Sequence, residues 1–236
     1  MSVYAIGDLH GCPAELEVLL GHVAPSASDT LVFLGDYVDR GLAVRPLIER
    51  LLSLRTEGPA LVFLRGNHED MLLDYLGLPG HYGDAFLDNG GGATLASYGV
   101  PFGAMGRAAA ACFPPEHLRF LLDLRMSHAC GRFLFVHAGV RPGVPLERQT
   151  AEDMLWIREE FFARAHDFPS TVIYGHTPQR EARIELPYRV GLDTGLVYGN
   201  KLSCLDVTGQ RLLQVKRGGR RVMVRDLAPE FAAANL

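Results

Sequence analysis

The residues of this 236-residue chain that could do chemistry fall in five short clusters, each rich in Asp, Asn or His beside Gly. They are Gly7-Asp8-Leu9-His10-Gly11, Gly35-Asp36-Tyr37-Val38-Asp39-Arg40-Gly41, Arg65-Gly66-Asn67-His68-Glu69, His137-Ala138-Gly139 and Tyr174-Gly175-His176-Thr177. Carboxylates, an amide oxygen and imidazoles form the mixed oxygen and nitrogen set that holds Mn, Fe or Zn ions. Glycine beside each candidate ligand lets the backbone turn sharply and leaves room for a bound anion. Taken singly, an Asp-x-His or a Gly-Asn-His is explained by turn and capping chemistry. Five such clusters, each following an apolar run, read instead as one multi-part site.

The elements that must position these clusters are legible in the apolar pattern. Residues 3–6, 30–34 and 60–64 are short apolar runs that stop at Gly-Asp, Gly-Asp and Arg-Gly-Asn-His, the reading of buried strands that end in functional loops. Between them, Pro13 suits a first helical turn, and Leu16, Leu19, Leu20 and Val23 repeat at helical spacing. A second helix is predicted over 44–55, with Leu47, Ile48, Leu51 and Leu52 on one face, and a third over 69–76. Strand, polar loop and helix in succession imply a βαβαβ core whose strand ends deliver the loops to one rim.

From 77 to 131 the pattern changes to a glycine-rich stretch (Gly90, Gly91, Gly92) with helical pieces at 104–113 and 116–126. It reads as a mainly helical insertion within a single domain over 1–236. Strands resume at 132–136, 171–174, 189–192, 202–206, 212–216 and 221–224. The last three read as an antiparallel meander turned at Thr208-Gly209 and Gly218-Gly219. The segment after Leu227 reads as a surface tail.

Composition sets the outer bounds. Apolar residues make up 48% and charged residues 21%, a balance that excludes disorder and supports a buried core. A formal net charge of −4 advertises neither a nucleic-acid duplex nor a membrane surface as partner. No run of about 18 apolar residues is present, and the N-terminal stretch lacks the basic and apolar regions of a signal peptide. Cys12, Cys112, Cys130 and Cys204 are scattered, as expected of reduced thiols in a cytoplasmic protein.

The clusters GDLHG, GDYVDRG, RGNHE, HAG and GHT resemble the signature of the phosphoprotein phosphatase branch of the calcineurin-like metallophosphoesterases, from Val3 to about Gly195. The resemblance implies an α/β fold, a four-layer αββα sandwich in which a central β-sandwich is flanked by helices. It also implies two divalent metal ions, with Mn the first expectation and Fe, Zn, Ni or Co compatible. Asp8, His10 and Asp36 would hold one ion; Asp36, Asn67, His137 and His176 would hold the other, with Asp36 bridging. A shared carboxylate reduces the repulsion between two close cations, which together would activate a water for in-line attack on phosphorus. His68 resembles the general acid, with Asp39 fixing its ring, and Arg40 and Arg158 would grip phosphate oxygens together with Asn67.

The branch resemblance implies a bacterial-type serine/threonine protein phosphatase, possible tyrosine activity included, acting on a phosphoprotein or phosphopeptide. The alternative is a dinucleoside polyphosphate hydrolase of the same superfamily. Its symmetrical type typically has Gln at the position of His10 and lacks the Asp39-Arg40 pair; the asymmetrical type keeps the His and has nearly this chain's length. A non-catalytic metal-binding scaffold is the third reading, disfavoured because every expected position is filled. Asp193 is expected to form a turn or support His176, and Phe86-Leu87-Asp88-Asn89-Gly90-Gly91 to line the substrate groove or simply turn.

Overall fold

The computed structural model describes residues 1–163, 165–166 and 168–236. The chain opens with β1 (Val3–Ile6), α1 (Pro13–Val23), β2 (Thr30–Phe33), α2 (Val44–Ser53), β3 (Ala60–Phe63) and α3 (Asn67–Tyr75). Three short helices follow, α4 (Gly92–Ser97), α5 (Gly106–Ala110) and α6 (Pro115–Leu122). Next come β4 (Ser127–Cys130), β5 (Phe133–Val136), α7 (Ala151–Trp156), α8 (Glu159–Phe162), β6 (Thr171–Tyr174), β7 (Arg183–Glu185) and β8 (Arg189–Gly191). The chain closes with β9 (Lys201–Asp206), β10 (Arg211–Lys216), β11 (Val222–Asp226) and α9 (Ala228–Ala233).

The strands form two mixed sheets, ordered β11-β10-β9-β1-β2-β3 and β4-β5-β6-β8-β7. β1, β2 and β3 are parallel, Ala5 opposite Val32 and Val32 opposite Val62, as the βαβαβ reading requires. β9, β10 and β11 form the expected antiparallel meander. Strand alternation sorts side chains onto two faces, and both faces of the first sheet are buried along β1, β2 and β9, while β11 at its edge is largely exposed. Ala5, Val32, Leu34 and Val62 meet Phe135, Ile173 and Val190 between the sheets. The residues between them, such as Ile6, Leu31 and Phe33, face outward and pack against Leu16, Leu47, Ile48, Leu51 and Leu72 of α1, α2 and α3. On the far side, Leu134, Val136, Val172 and Tyr174 pack against Ile157 and Phe161, so a thin layer of short helices completes the expected four-layer sandwich.

Three expectations are corrected. β4 and β7 were not anticipated; both are edge strands of three or four residues with polar sequences, SHAC and RIE, and edge strands are kept short and polar to resist further pairing. β4 belongs to the second sheet, so the helical character of the glycine-rich stretch ends at α6. The C-terminal segment is not a surface tail: α9 places Phe231 between the sheets beside Leu227, both fully buried. A single aromatic in a six-residue helix is too weak a periodicity to read from sequence.

Replacing Phe231 by Ala is expected to lower stability by about 3–5 kcal/mol, the usual result of emptying a buried aromatic site. Urea denaturation checks this, and a change within about 0.5 kcal/mol would mark α9 as the surface feature that its sequence resembles.

Candidate active site

The five clusters meet at one rim. β1 delivers Asp8 and His10, β2 delivers Asp36, Asp39 and Arg40, the first turn of α3 carries Asn67 and His68, and β5 and β6 end at His137 and His176. The chain turns sharply at each. His10, Asp36, Asp39, Arg40 and His176 all have positive φ, 39°, 53°, 68°, 67° and 63° respectively. A non-glycine residue held there costs on the order of 1–3 kcal/mol and persists only where the surroundings dictate it.

Glu69 supplies much of that constraint. Its Oε1 accepts the backbone N–H of Tyr37 and Val38 at 2.7 and 3.0 Å. Its Oε2 accepts those of Asp36 and Gly66, both at 2.9 Å. One buried carboxylate thus ties the loop after β2 to the start of α3. Burial and the nearby Asp36 charge push the Glu69 carboxyl up to about 7, against the pull of its backbone donors. Gly66 is obligatory here, since a Cβ would lie 2.1 Å from Asp36 Oδ1. The same holds for Gly175, where a Cβ would lie 2.1 Å from Asp8 Oδ1.

Asp36 stands at the centre. His10 Nε2 lies 3.4 Å from its Oδ2 and His137 Nε2 lies 3.4 Å from its Oδ1. The other ring nitrogen of each histidine donates to a backbone carbonyl, His10 Nδ1 to Val38 at 2.7 Å and His137 Nδ1 to Leu34 at 2.8 Å. Burial pushes the His10 pKa down to about 3 and the His137 pKa below its ordinary value, favouring the neutral rings. Each Nε2 therefore presents a lone pair to a carboxylate oxygen with no proton between them, an arrangement that fits a cation. Burial opposes the Asp36 charge, which protons on the surrounding His137, His68, His10 and His176 rings favour, and its pKa lies below the ordinary carboxylate range.

Among the described residues, two groups with ligand atoms close enough to share a metal ion share Asp36: His10, Asp36 and His68, and Asp36, His137 and His176. Asn67 Oδ1 joins the second, 3.0 Å from His137 Nε2 and 2.9 Å from His176 Nδ1. Asp8 lies outside both groups, its carboxylate accepting the His176 N–H at 3.0 and 3.3 Å. Burial and the neighbouring charges of Asp193 and Asp36 raise its pKa, so three buried acids crowd this side of the rim. Asp193 Oδ1 accepts the Gly195 N–H at 2.9 Å.

His68 and Asp39 form a buried pair, Nδ1 to Oδ2 at 2.7 Å, while His68 Nε2 faces Asp36 Oδ2 at 4.0 Å. Burial works against imidazolium, but Asp36 and the Asp39 hydrogen bond outweigh it and raise the His68 pKa. The other Asp39 oxygen accepts the Thr94 hydroxyl at 2.6 Å, and Thr94 Oγ1 accepts the Asp39 N–H at 2.9 Å. Arg40 NH1 donates to His10 Nε2 at 2.7 Å and Arg158 Nε to His176 Nε2 at 3.1 Å, bringing two guanidiniums onto the ligand cluster. Beneath Arg40, the Gly90 carbonyl accepts its backbone N–H at 3.1 Å, so part of the glycine-rich turn carries the arginine.

One rim that gathers two ligand groups sharing a carboxylate, with imidazole donors and two arginines beside them, fits a metal-dependent phosphoester hydrolase. Residues 1–205 match the calcineurin-like phosphoesterase family. The chain belongs to that family. It is 26% identical to the asymmetrical bis(5'-nucleosyl)-tetraphosphatase PrpE of Oceanobacillus iheyensis, an alignment covering 100% of this chain and 99% of that one. It is 31% identical to the symmetrical bis(5'-nucleosyl)-tetraphosphatase of Methylococcus capsulatus over 74% of this chain, which spans only 52% of that protein. Among solved structures, one described as a candidate diadenosine tetraphosphatase superposes with a TM-score of 0.70 at 25% identity, covering 91% of this chain and 93% of its own.

These relatives overturn the expectation of a serine/threonine protein phosphatase. The Drosophila melanogaster serine/threonine phosphatase rdgC is 46% identical, but over 74 residues, 30% of this chain. The physical reason is that the motif loops handle the phosphate, which phosphoproteins and nucleoside polyphosphates share, whereas the group carrying it is met elsewhere. Sequence reasoning also left Glu69 without a role and missed Thr94. Glu69 sits at the third helical position after Gly66, where an acid reaching back to the N-cap N–H is a readable capping signal. Thr94 had none, because only the folded chain brings it to Asp39.

Glu69→Gln is expected to weaken Mn binding by on the order of 10- to 100-fold, the usual effect of disturbing groups that orient ligands. Titration calorimetry reads this directly; wild-type affinity would show the four-donor clamp to be dispensable.

Proposed function

We propose that this chain is a metal-dependent hydrolase of dinucleoside polyphosphates that cuts the phosphate chain asymmetrically. The end-to-end correspondence with an asymmetrical bis(5'-nucleosyl)-tetraphosphatase carries the reading. A polyanion suits the two arginines that bracket the acid-rich centre, where a guanidinium fork can take phosphate oxygens two at a time.

In this reading Asp8, His10 and Asp36 hold one divalent cation and Asp36, Asn67, His137 and His176 the other, Mn being the first to test. Bound there, the cations supply Lewis-acid polarisation of the phosphate and activation of the attacking water. Arg40 and Arg158 turn from the imidazoles they now contact to the phosphate oxygens, joined by the Asn67 amide. His68 offers its Nε2 proton to the departing oxygen, while Asp39, locked by Thr94, fixes the ring and stabilises its positive charge.

Incubation of Mn-loaded protein with diadenosine tetraphosphate is expected to give ATP and AMP in equal amounts by anion-exchange chromatography. Two ADP would reverse the asymmetry, and no turnover would overturn the proposal. Stripping the metals with EDTA is expected to abolish cleavage, and adding Mn to restore it. The leaving group of an anhydride is a phosphate oxygen, a weaker base than an alkoxide, and needs less proton donation. His68→Asn is therefore expected to lower kcat on an alkyl phosphomonoester by on the order of 10²–10⁴-fold and on the dinucleotide by clearly less. Equal losses would remove His68 from the proton-donor role.

A further inference from the structure

Beyond the arginines, the wall of the site on the His176 side is aromatic. The Trp156 ring stands edge-on to His176, with centroids 6.2 Å apart, and edge-on to Tyr82, with centroids 5.4 Å apart and planes at 81°. Two adjoining hollows of about 220 and 270 Å³ open along this corner, and both are lined by Tyr82, Trp156 and Glu152. Asn89 and Ala85 complete the larger one. Tyr82 is 46% exposed, held with φ 63° at the start of a helical turn, so its ring stands out from the surface rather than in the core.

The lining decides what this corner takes. Rings at right angles make two flat walls, on one of which a planar group can stack while its edge meets the other. Glu152 is exposed and has no ion pair among the described residues, so its charge repels phosphate and accepts from N–H donors. Asn89 donates its amide N–H to the Ala85 carbonyl at 2.9 Å, which leaves its oxygen as a further acceptor. The corner is thus built for a neutral, flat ring that bears an amino group, and against a second anion. It begins beside His176 and Arg158, where the phosphate chain would end.

We infer that the Tyr82–Trp156 corner binds the adenine of the nucleotide released from the shorter side of the cut, and so selects adenine dinucleotides. The inference rests on the dinucleotide reading above and deepens it. Stacking of a base on an aromatic side chain is worth enough to raise affinity by on the order of tenfold.

Trp156 is the one tryptophan of the chain, so its fluorescence reports this corner alone. AMP is expected to quench it saturably and ribose 5-phosphate to leave it unchanged. Tyr82→Ala is expected to lower the ratio of kcat/KM for diadenosine tetraphosphate to that for inorganic tripolyphosphate by on the order of tenfold, and Tyr82→Phe to restore it. If the dinucleotide is cleaved but AMP gives no quenching and the ratio is unmoved by Tyr82→Ala, the base subsite is overturned while the hydrolase reading stands. If a phosphotyrosine peptide quenches and AMP does not, the corner takes a peptide and the inference fails. Absence of dinucleotide cleavage alongside AMP quenching would overturn the hydrolase reading and retain a nucleotide site.

Discussion

The site depends on keeping one buried carboxylate, Asp36, charged and aimed at the middle of four imidazoles in a backbone conformation that a non-glycine residue resists. Nothing local to the loop after β2 would hold it there. Glu69 does so from another element, gathering the N–H groups of Asp36, Tyr37, Val38 and Gly66 onto one carboxylate. The cost of burying that acid is offset because each of its lone-pair positions meets a donor. Gly66 then lets the start of α3 approach within van der Waals contact of Asp36, which brings Asn67 and His68 to the same centre.

The same constraint ties the glycine-rich stretch to the chemistry. Thr94 of α4 both accepts the Asp39 N–H and donates to its carboxylate, and the Gly90 carbonyl receives the Arg40 N–H. Asp39 and Arg40 each have positive φ, so the loop that bears them is fixed from outside as well as from Glu69. The glycine-rich stretch thereby also fixes the hydrogen-bond partner of His68. Under the proposed mechanism, changes at Thr94 or Gly90 would reach His68 and Arg40 through Asp39 and the loop backbone.

The loops do not record what carries the phosphate. The acid and imidazole set is suited to cations and the arginines to phosphate oxygens, and both demands are the same for a phosphoprotein and for a dinucleotide. The expectation of a protein phosphatase arose from those shared loops. The evidence against it lies in the length of chain that matches the tetraphosphatases, and the aromatic corner at Tyr82 and Trp156 is where a base could be told from a peptide.

The sequence alone determined the strand and helix order of the first seventy-six residues, the antiparallel end of the first sheet and the five loops that converge. These follow from local rules: apolar runs that stop at glycine, helical spacing of leucines, and polar residues clustered where strands end. Tertiary structure decided the rest. The partners of Glu69, the contact of Thr94 with Asp39 fifty-five positions away, and the right angle between Tyr82 and Trp156 join residues distant along the chain. The polar edge strands β4 and β7 acquire their state from a neighbouring strand, and α9 from the gap between the sheets that Phe231 fills. No single-segment pattern encodes such pairings, because the energy that selects them comes from burial and hydrogen bonding across elements.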